Sequence, residues 1–282
     1  MPVLSREQIE GIAEKHLYAF RPEYLQYPQP VDVDKFAVEY LHLRQDYQYL
    51  SSNGIYLGMY VFDDTDRLAV YDEKKNEARY ISEKADTIII DKSLLEKGQE
   101  GRYRFTMGHE IGHGILHRMS DDPYDKYVKL YYEDNDVHVF RCNFSYREFE
   151  HKPREKWTQL DWQEWQADAF SSALLMPETA IRNVIAGYGS RFSKMAREEI
   201  AIDVARTFDV TVTAARVRLE SLGVIKPIEK KPVKVQADEP EIVKKMRERR
   251  TEREADDAIF NRRDEDLWNN VERGHIRRKK RR

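Results

Sequence analysis

Residues 105–116 read FTMGHEIGHGIL, and this run constrains the fold more than any other. His109, Glu110 and His113 sit among Phe105, Met107, Ile111, Ile115 and Leu116. The helix that the spacing predicts, from near Arg102 to about Met119, must therefore bury much of its surface. Burying ionisable groups without partners is costly, and a metal ion resolves that cost. On an α-helix, residues four apart face the same way, about 6 Å apart along the axis. His109 and His113 can thus reach one ion, with Glu110 beside them and angled toward a water on it. This is the H-E-x-x-H arrangement, in which zinc lowers the pKa of its water to roughly 7 and the glutamate takes the proton.

Two histidines do not complete a zinc site. His117 continues the four-residue spacing, but it falls about 12 Å along the axis from His109, too far for both to bond one ion at about 2 Å. It is expected outside the ligand set, backing a ligand or facing solvent. The metzincin pattern also fails, because Leu116 stands where glycine is needed and Met119 where the third histidine is needed. His138, Cys142 and His151 share no ligand-like spacing. The segment WQEWQADAFSSALLMP offers more: a helix predicted from Trp162 to Met176, stopped by Pro177. It is mostly apolar or small, yet Glu164 and Asp168 lie one turn apart on one side. Glu164 can complete a His-His-Glu site, and Asp168 can accept the Nδ1 proton of a liganding histidine and fix its tautomer. The competing reading is an acidic outer stripe on an amphipathic helix.

Upstream, LSREQIEGIAEKHLYAF predicts a surface helix capped by Ser5, and VDVDKFAVEYLHL resumes a helical period with Phe36, Ala37, Val38, Tyr40 and Leu41. From Gly54 to Asp91 the pattern is of short β runs, with DDTD and DEKKNE as hairpin connections and three or four antiparallel strands. Residues 120–160 show no steady period and read as an insertion or long loop.

FTMGHEIGHGILH followed by EWQADAFSSALLMP resembles the ImmA/IrrE family of zinc metallopeptidases over roughly residues 5–225. In that family an HExxH helix is followed by ExxA(N/D)xFAxxLLMP; here Ser171 stands where alanine is usual. The resemblance implies an α+β, zincin-like fold of the smaller glutamate-zincin type. A small antiparallel sheet would pack on the HExxH helix, with its edge strand open to an extended substrate. It assigns His109, His113 and Glu164 to the metal, Glu110 to catalysis, and zinc, with manganese as the alternative, as the ion. It further implies an endopeptidase of narrow specificity that cuts a helix-turn-helix transcriptional repressor and so releases stress or mobile-element genes. The insertion between the two helices is longer than the family core needs. No residue is assigned to stabilise an oxyanion; Tyr103 and Tyr188 are expected to be packing residues.

Three domains are expected: the peptidase body over 1–190, a helix-turn-helix-like segment over 191–226, and a charged linker and tail over 227–282, helical in part over 241–273. In EEIAIDVARTFDVTVTAARVRLESLGVI, Ala205, Val210, Thr211 and Ala215 fall where such a unit has its small residue, turn apolar residue, cap and second-helix apolar residue, and Asp209 replaces the usual glycine. Arg216 and Arg218 could face phosphates. The favoured reading is that this unit packs on the body or grips a protein, with DNA contact secondary. From Lys226 onward there are 19 Lys/Arg against 13 Asp/Glu, which leaves 29 against 38 before it. An acidic body thus carries a mildly basic tail ending in RRKKRR, read as a solvated end. The single cysteine rules out an intrachain disulfide and argues for a reducing compartment. With no signal-like start and no apolar run of membrane-spanning length, the expectation is a soluble, cytoplasmic protein. The competing functional class is a DNA- or repressor-binding regulator with a non-catalytic metal site.

Overall fold

A computed structural model describes residues 3–118, 139–143 and 153–227, with the backbone alone for 139–143. The expected helix over 241–273, the RRKKRR cluster, His138, His151 and most of the 120–160 insertion lie outside the described residues. The chain divides into two compact units, Met1–Pro227 and Ile228–Arg282; the elements below belong to the first.

Among the described residues there are six strands: β1 (Arg44–Gln48), β2 (Tyr56–Val61), β3 (Thr65–Asp72), β4 (Glu77–Glu83), β5 (Thr87–Asp91) and β6 (Val139–Asn143). Four make one sheet in the order β1-β5-β2-β6, and β3 pairs with β4 as a separate hairpin. The central strand β5 carries Ile88, Ile89 and Ile90, all fully buried, a continuous apolar run that suits a strand covered on both faces. Alternation then sorts the layers. Tyr60, Ile88 and Ile90 join the main helical core, whereas Met59, Val61 and Ile89 pack with Leu68 and Val70 of the hairpin.

Of the three or four strands expected between Gly54 and Asp91, four form, but they do not make one antiparallel sheet. β1 runs parallel to β5, so the sheet is mixed. DEKKNE closes the β3-β4 hairpin, with Asp72 Oδ1 accepting the backbone N–H of Lys74 at 3.0 Å and Asn76 at φ 53°. DDTD instead carries the chain from β2 to the hairpin, since those strands are not paired. β1, RQDYQ, has no alternating apolar pattern for sequence reading to detect; its backbone pairs residue by residue with β5 from Arg44↔Thr87 to Gln48↔Asp91. β6 arises inside the segment expected to be a loop and forms the edge beside β2.

The longer helices among the described residues are α1 (Arg6–Phe20), α2 (Glu100–Leu116), α3 (Gln159–Leu175), α4 (Glu178–Tyr188), α5 (Arg197–Phe208) and α6 (Val212–Ser221). Ser5 caps α1 as expected: its hydroxyl takes the Gln8 N–H at 3.2 Å and the Gln8 side chain returns to Ser5 N at 2.7 Å. Ile9, Ala13 and Leu17, four apart, are buried. Thr158 and Asp161 cap α3 in the same reciprocal way. The segment VDVDKFAVEYLHL gives less helix than its period predicts, only turns over Val33–Lys35 and Phe36–Tyr40, before His42 takes a left-handed φ of 57°.

α5 and α6 are joined by Asp209, whose φ of 52° and ψ of 54° put it in the left-handed region. Aspartate reaches that region at lower cost than most residues, which lets it stand in for glycine here. Thr211 caps α6, accepting from Ala214 N at 3.1 Å. Arg218 of α6 is buried: it forms a two-pronged ion pair with Glu10 of α1 and donates to the Met176 carbonyl at 2.9 and 3.0 Å. This part of the helix pair packs on the body.

Candidate metal centre

The glycines of MGHEIGHG set how closely α2 can approach its neighbours. Gly108 and Gly112 face Ser171 and Ala167 of α3. A Cβ on Gly112 would lie 3.1 Å from Ala167 Cα and 3.2 Å from its carbonyl oxygen, and one on Gly108 would lie 2.6 Å from Ser171 Oγ. Ser171, the departure from the usual alanine, uses its hydroxyl to donate to the Phe105 carbonyl at 2.8 Å. Two small residues one turn apart on each helix thus bring the backbones together. The residues beside them, His109 and His113 on α2 and Glu164 and Asp168 on α3, come into bonding range.

His109 Nε2 lies 2.9 Å from His113 Nε2, and the Glu164 carboxylate lies 3.4 Å from the first and 3.5 Å from the second. One ligand atom from each residue falls within 4.8 Å of the others, a group able to hold a metal ion. Asp168 Oδ1 is 2.9 Å from His109 Nδ1. A carboxylate there accepts the Nδ1 proton and leaves Nε2 with its lone pair facing the group. His117 is buried rather than at the surface, with its Nδ1 2.8 Å from His113 Nδ1. The histidine excluded from the ligand set by distance along the axis therefore backs one of the ligands.

Glu110 is fully buried, and neither of its carboxylate oxygens has a hydrogen-bond partner among the described residues. Gly58 of β2 makes room for it, since a Cβ at that position would overlap Glu110 Oε1 and lie 2.7 Å from Thr106 Cγ2. Sequence reading missed Gly58. A glycine inside a strand does signal close approach of something to the backbone, but only the folded chain shows that the neighbour is the glutamate.

Electrostatics put two of the three donors, Glu164 and His113, in the form that binds a cation. Burial alone would raise Glu164, yet its bonds to His109 and His113 hold it well below the usual carboxylate range. Burial lowers His113, keeping its imidazole neutral, and pushes His117 down to about 2. A carboxylate with neutral imidazoles is the protonation state a divalent ion requires. Glu110 is pushed up to about 8, by burial first and then by the carboxylates of Glu164 and Asp168, with His109 opposing.

The donor set, and beside it a buried carboxylate with no hydrogen-bond partner among the described residues, fit a bound metal ion. Tyr103 and Tyr188 have other partners, as expected of packing residues: Tyr103 bonds Asp34 and Tyr47, and Tyr188 reaches Asp203 at 3.5 Å. Arg216, one of the two candidate phosphate contacts, pairs with Glu198, and Arg218 is the buried partner of Glu10.

No protein-family model matches the chain, and no curated protein matches it. Among the described residues no helix is long and apolar enough to cross a membrane.

Proposed function

We propose that this chain is a cytoplasmic, zinc-dependent endopeptidase of narrow specificity, with a zincin-like body and the ligands His109, His113 and Glu164. Manganese is the alternative ion. The reading is carried by one observation: three donors from α2 and α3 converge beside a buried glutamate that has no hydrogen-bond partner among the described residues. The resemblance to the ImmA/IrrE peptidases supplies the expected substrate, a helix-turn-helix repressor whose cleavage derepresses stress or mobile-element genes.

A bound ion would polarise a scissile carbonyl and acidify a water, as hydrolytic zinc sites do. The chain's own residues do the rest. Asp168 and His117 hold the two imidazoles in the tautomer that offers Nε2. Glu110 accepts the proton of the attacking water and returns it to the leaving amine. Gly58 leaves the glutamate room to move between them. The outer edge of β6 is where an extended peptide would add as a strand.

The test is Glu110→Gln in the full-length protein, digested with a synthetic peptide pool presenting all neighbouring residue pairs, with casein as a second substrate. The wild-type chain with zinc should cut a few members of the pool and leave casein intact. The variant should bind zinc as tightly and cut nothing. A variant that still cuts overturns the role of Glu110, and rapid turnover of casein overturns narrow specificity. The rival reading, a DNA-binding regulator with a non-catalytic metal site, loses the support of Arg216 and Arg218, since carboxylates hold both.

A further inference from the structure

A cavity of about 870 Å³ lies between α2, α3 and α6, walled by Leu57, Phe105, Thr106, Trp165, Asp168 and Val217 among others. Asp168 also holds His109, so the cavity shares a wall with the metal centre. Thr106 and Phe105 stand one turn before Glu110 and His109 on α2, which makes the cavity a continuation of that face. Trp157 and Trp165 build one side, and both pack on Trp162, with centroids 4.6 and 5.7 Å from its ring. The Arg154 guanidinium lies 5.5 Å from the ring centres of both Trp157 and Trp165, and Arg6 reaches Trp165 at 5.8 Å.

Neither Arg6 nor Arg154 has a carboxylate partner among the described residues, whereas Arg182, Arg197, Arg216 and Arg218 each have one. Burial, then the positive charges of Arg218 and Arg154, lower the pKa of Arg6, with Glu10 opposing. Two cations that repel each other at a cavity mouth are relieved by an incoming anion. A guanidinium held over an indole face by a cation–π contact still has N–H groups to offer a carboxylate on two prongs.

We propose that this cavity is a specificity subsite, in which Arg6 and Arg154, both held beside the Trp165 ring, receive an aspartate or glutamate side chain of a peptide while the apolar wall takes its neighbour. That the ligand is a peptide rests on the peptidase reading above. The observations favour a peptide over a nucleic acid. Residues 1–225 carry 29 Lys/Arg against 38 Asp/Glu, a field that repels a polyanion. Binding a strand also depends on several phosphates contacted together, whereas one carboxylate needs only this pair.

The experiment uses the peptide pool in two ways: digestion by the full-length zinc-loaded protein, with cut sites read by mass spectrometry, and retention on the Glu110→Gln protein, with bound peptides identified. Acidic residues should be enriched about tenfold over their amides at one fixed position from the cut and among the retained peptides, as expected for one charge-assisted contact. In Arg6→Gln/Arg154→Gln the enrichment should fall below about twofold. In Arg6→Glu/Arg154→Glu it should turn to lysine and arginine, and Arg6→Lys/Arg154→Lys should keep most of it. Circular dichroism checks that each variant folds, and Arg154→Gln alone, at an exposed position, is the milder form.

Cutting without acidic enrichment overturns the subsite and leaves the peptidase reading standing. Retention of acidic peptides without cutting does the reverse. If nothing is either cut or retained, both fall. If a single-stranded oligonucleotide binds and the arginine variants weaken it while peptide selection is unmoved, the site is a nucleic-acid contact and the proposal is wrong.

Discussion

The Nδ1 atoms of His113, on α2, and His117, the residue just past its end, lie 2.8 Å apart and buried. Two imidazole nitrogens at that distance share one proton. If His113 offers Nε2 to a metal, its Nδ1 carries the hydrogen and His117 must accept it. His117→Phe removes the acceptor and should weaken zinc binding about 10- to 100-fold, the usual cost of losing such a support. His117→Gln, whose carbonyl oxygen can accept, should recover part of it. Competition against a chelating dye measures this, and an unchanged affinity in the Phe variant would show that His117 only fills space.

Gly112 meets backbone, whereas Gly108 meets a side-chain hydroxyl, and the two should answer differently to alanine. Alanine gains about 1 kcal/mol of helix propensity over glycine, but overpacking costs typically 1–3 kcal/mol. At Gly112 the neighbours are Ala167 Cα and carbonyl oxygen, which cannot yield without moving α3. Gly112→Ala should therefore destabilise the protein and weaken zinc binding together. At Gly108 the tightest neighbour is Ser171 Oγ, with Cβ behind it at 3.3 Å, so Ser171→Ala should rescue much of the loss in Gly108→Ala. A double-mutant cycle from thermal melts reads the coupling, and additive effects would refute the contact.

The ion pair of Arg218 with Glu10 is buried, and Arg218 is 1% exposed. Removing one member strands the other, a loss of about 3–5 kcal/mol for buried pairs. At about 2–4 °C per kcal/mol in a protein of this size, Arg218→Ala should lower the melting temperature by roughly 10 °C. Glu10→Gln/Arg218→Met should cost well under half as much, because no charge is left uncompensated. Equal losses in the two variants would mean the pair matters for packing alone.

His16 sets a pH dependence away from the metal. Its imidazole is half-buried, with Nδ1 3.0 Å from the Tyr40 hydroxyl, and burial first, then Lys15, depresses its pKa below 6.5. The unfolded chain therefore takes up a proton before the folded chain does. The stability His16 contributes is complete above about pH 6.5 and is lost as the pH falls through its folded value. Melting temperatures at pH 7 and pH 5 should differ less in His16→Gln than in the wild-type chain. An identical difference would place the acid sensitivity elsewhere.

Much of the candidate site was legible because its chemistry is written at helical spacing. His109, Glu110, His113, Glu164 and Asp168 could be placed from periodicity and buried charge, and the structure brings them together. The strands over Tyr56–Asp91 were legible from alternation, but their partners were not. Pairing is decided by which faces need cover, so Ile88–Ile90 became a central strand with a layer on each side. β1 escaped notice because backbone pairing with β5 holds a polar edge without any apolar signal. Gly58, Gly108 and Gly112 are informative only through what stands opposite them, which lies far away along the chain. Arg218 looked like a surface cation until Glu10, 208 positions earlier, supplied its counter-charge.

That long-range fastening bears on any attempt to make a smaller version of the protein. A fragment stopped after the LLMP helix would retain every proposed metal ligand, yet it would leave the first helix with an unanswered negative charge and the Met176 carbonyl with no donor in place of the guanidinium. The shortest version to express in isolation therefore ends beyond residue 218, or else carries a neutral residue at position 10.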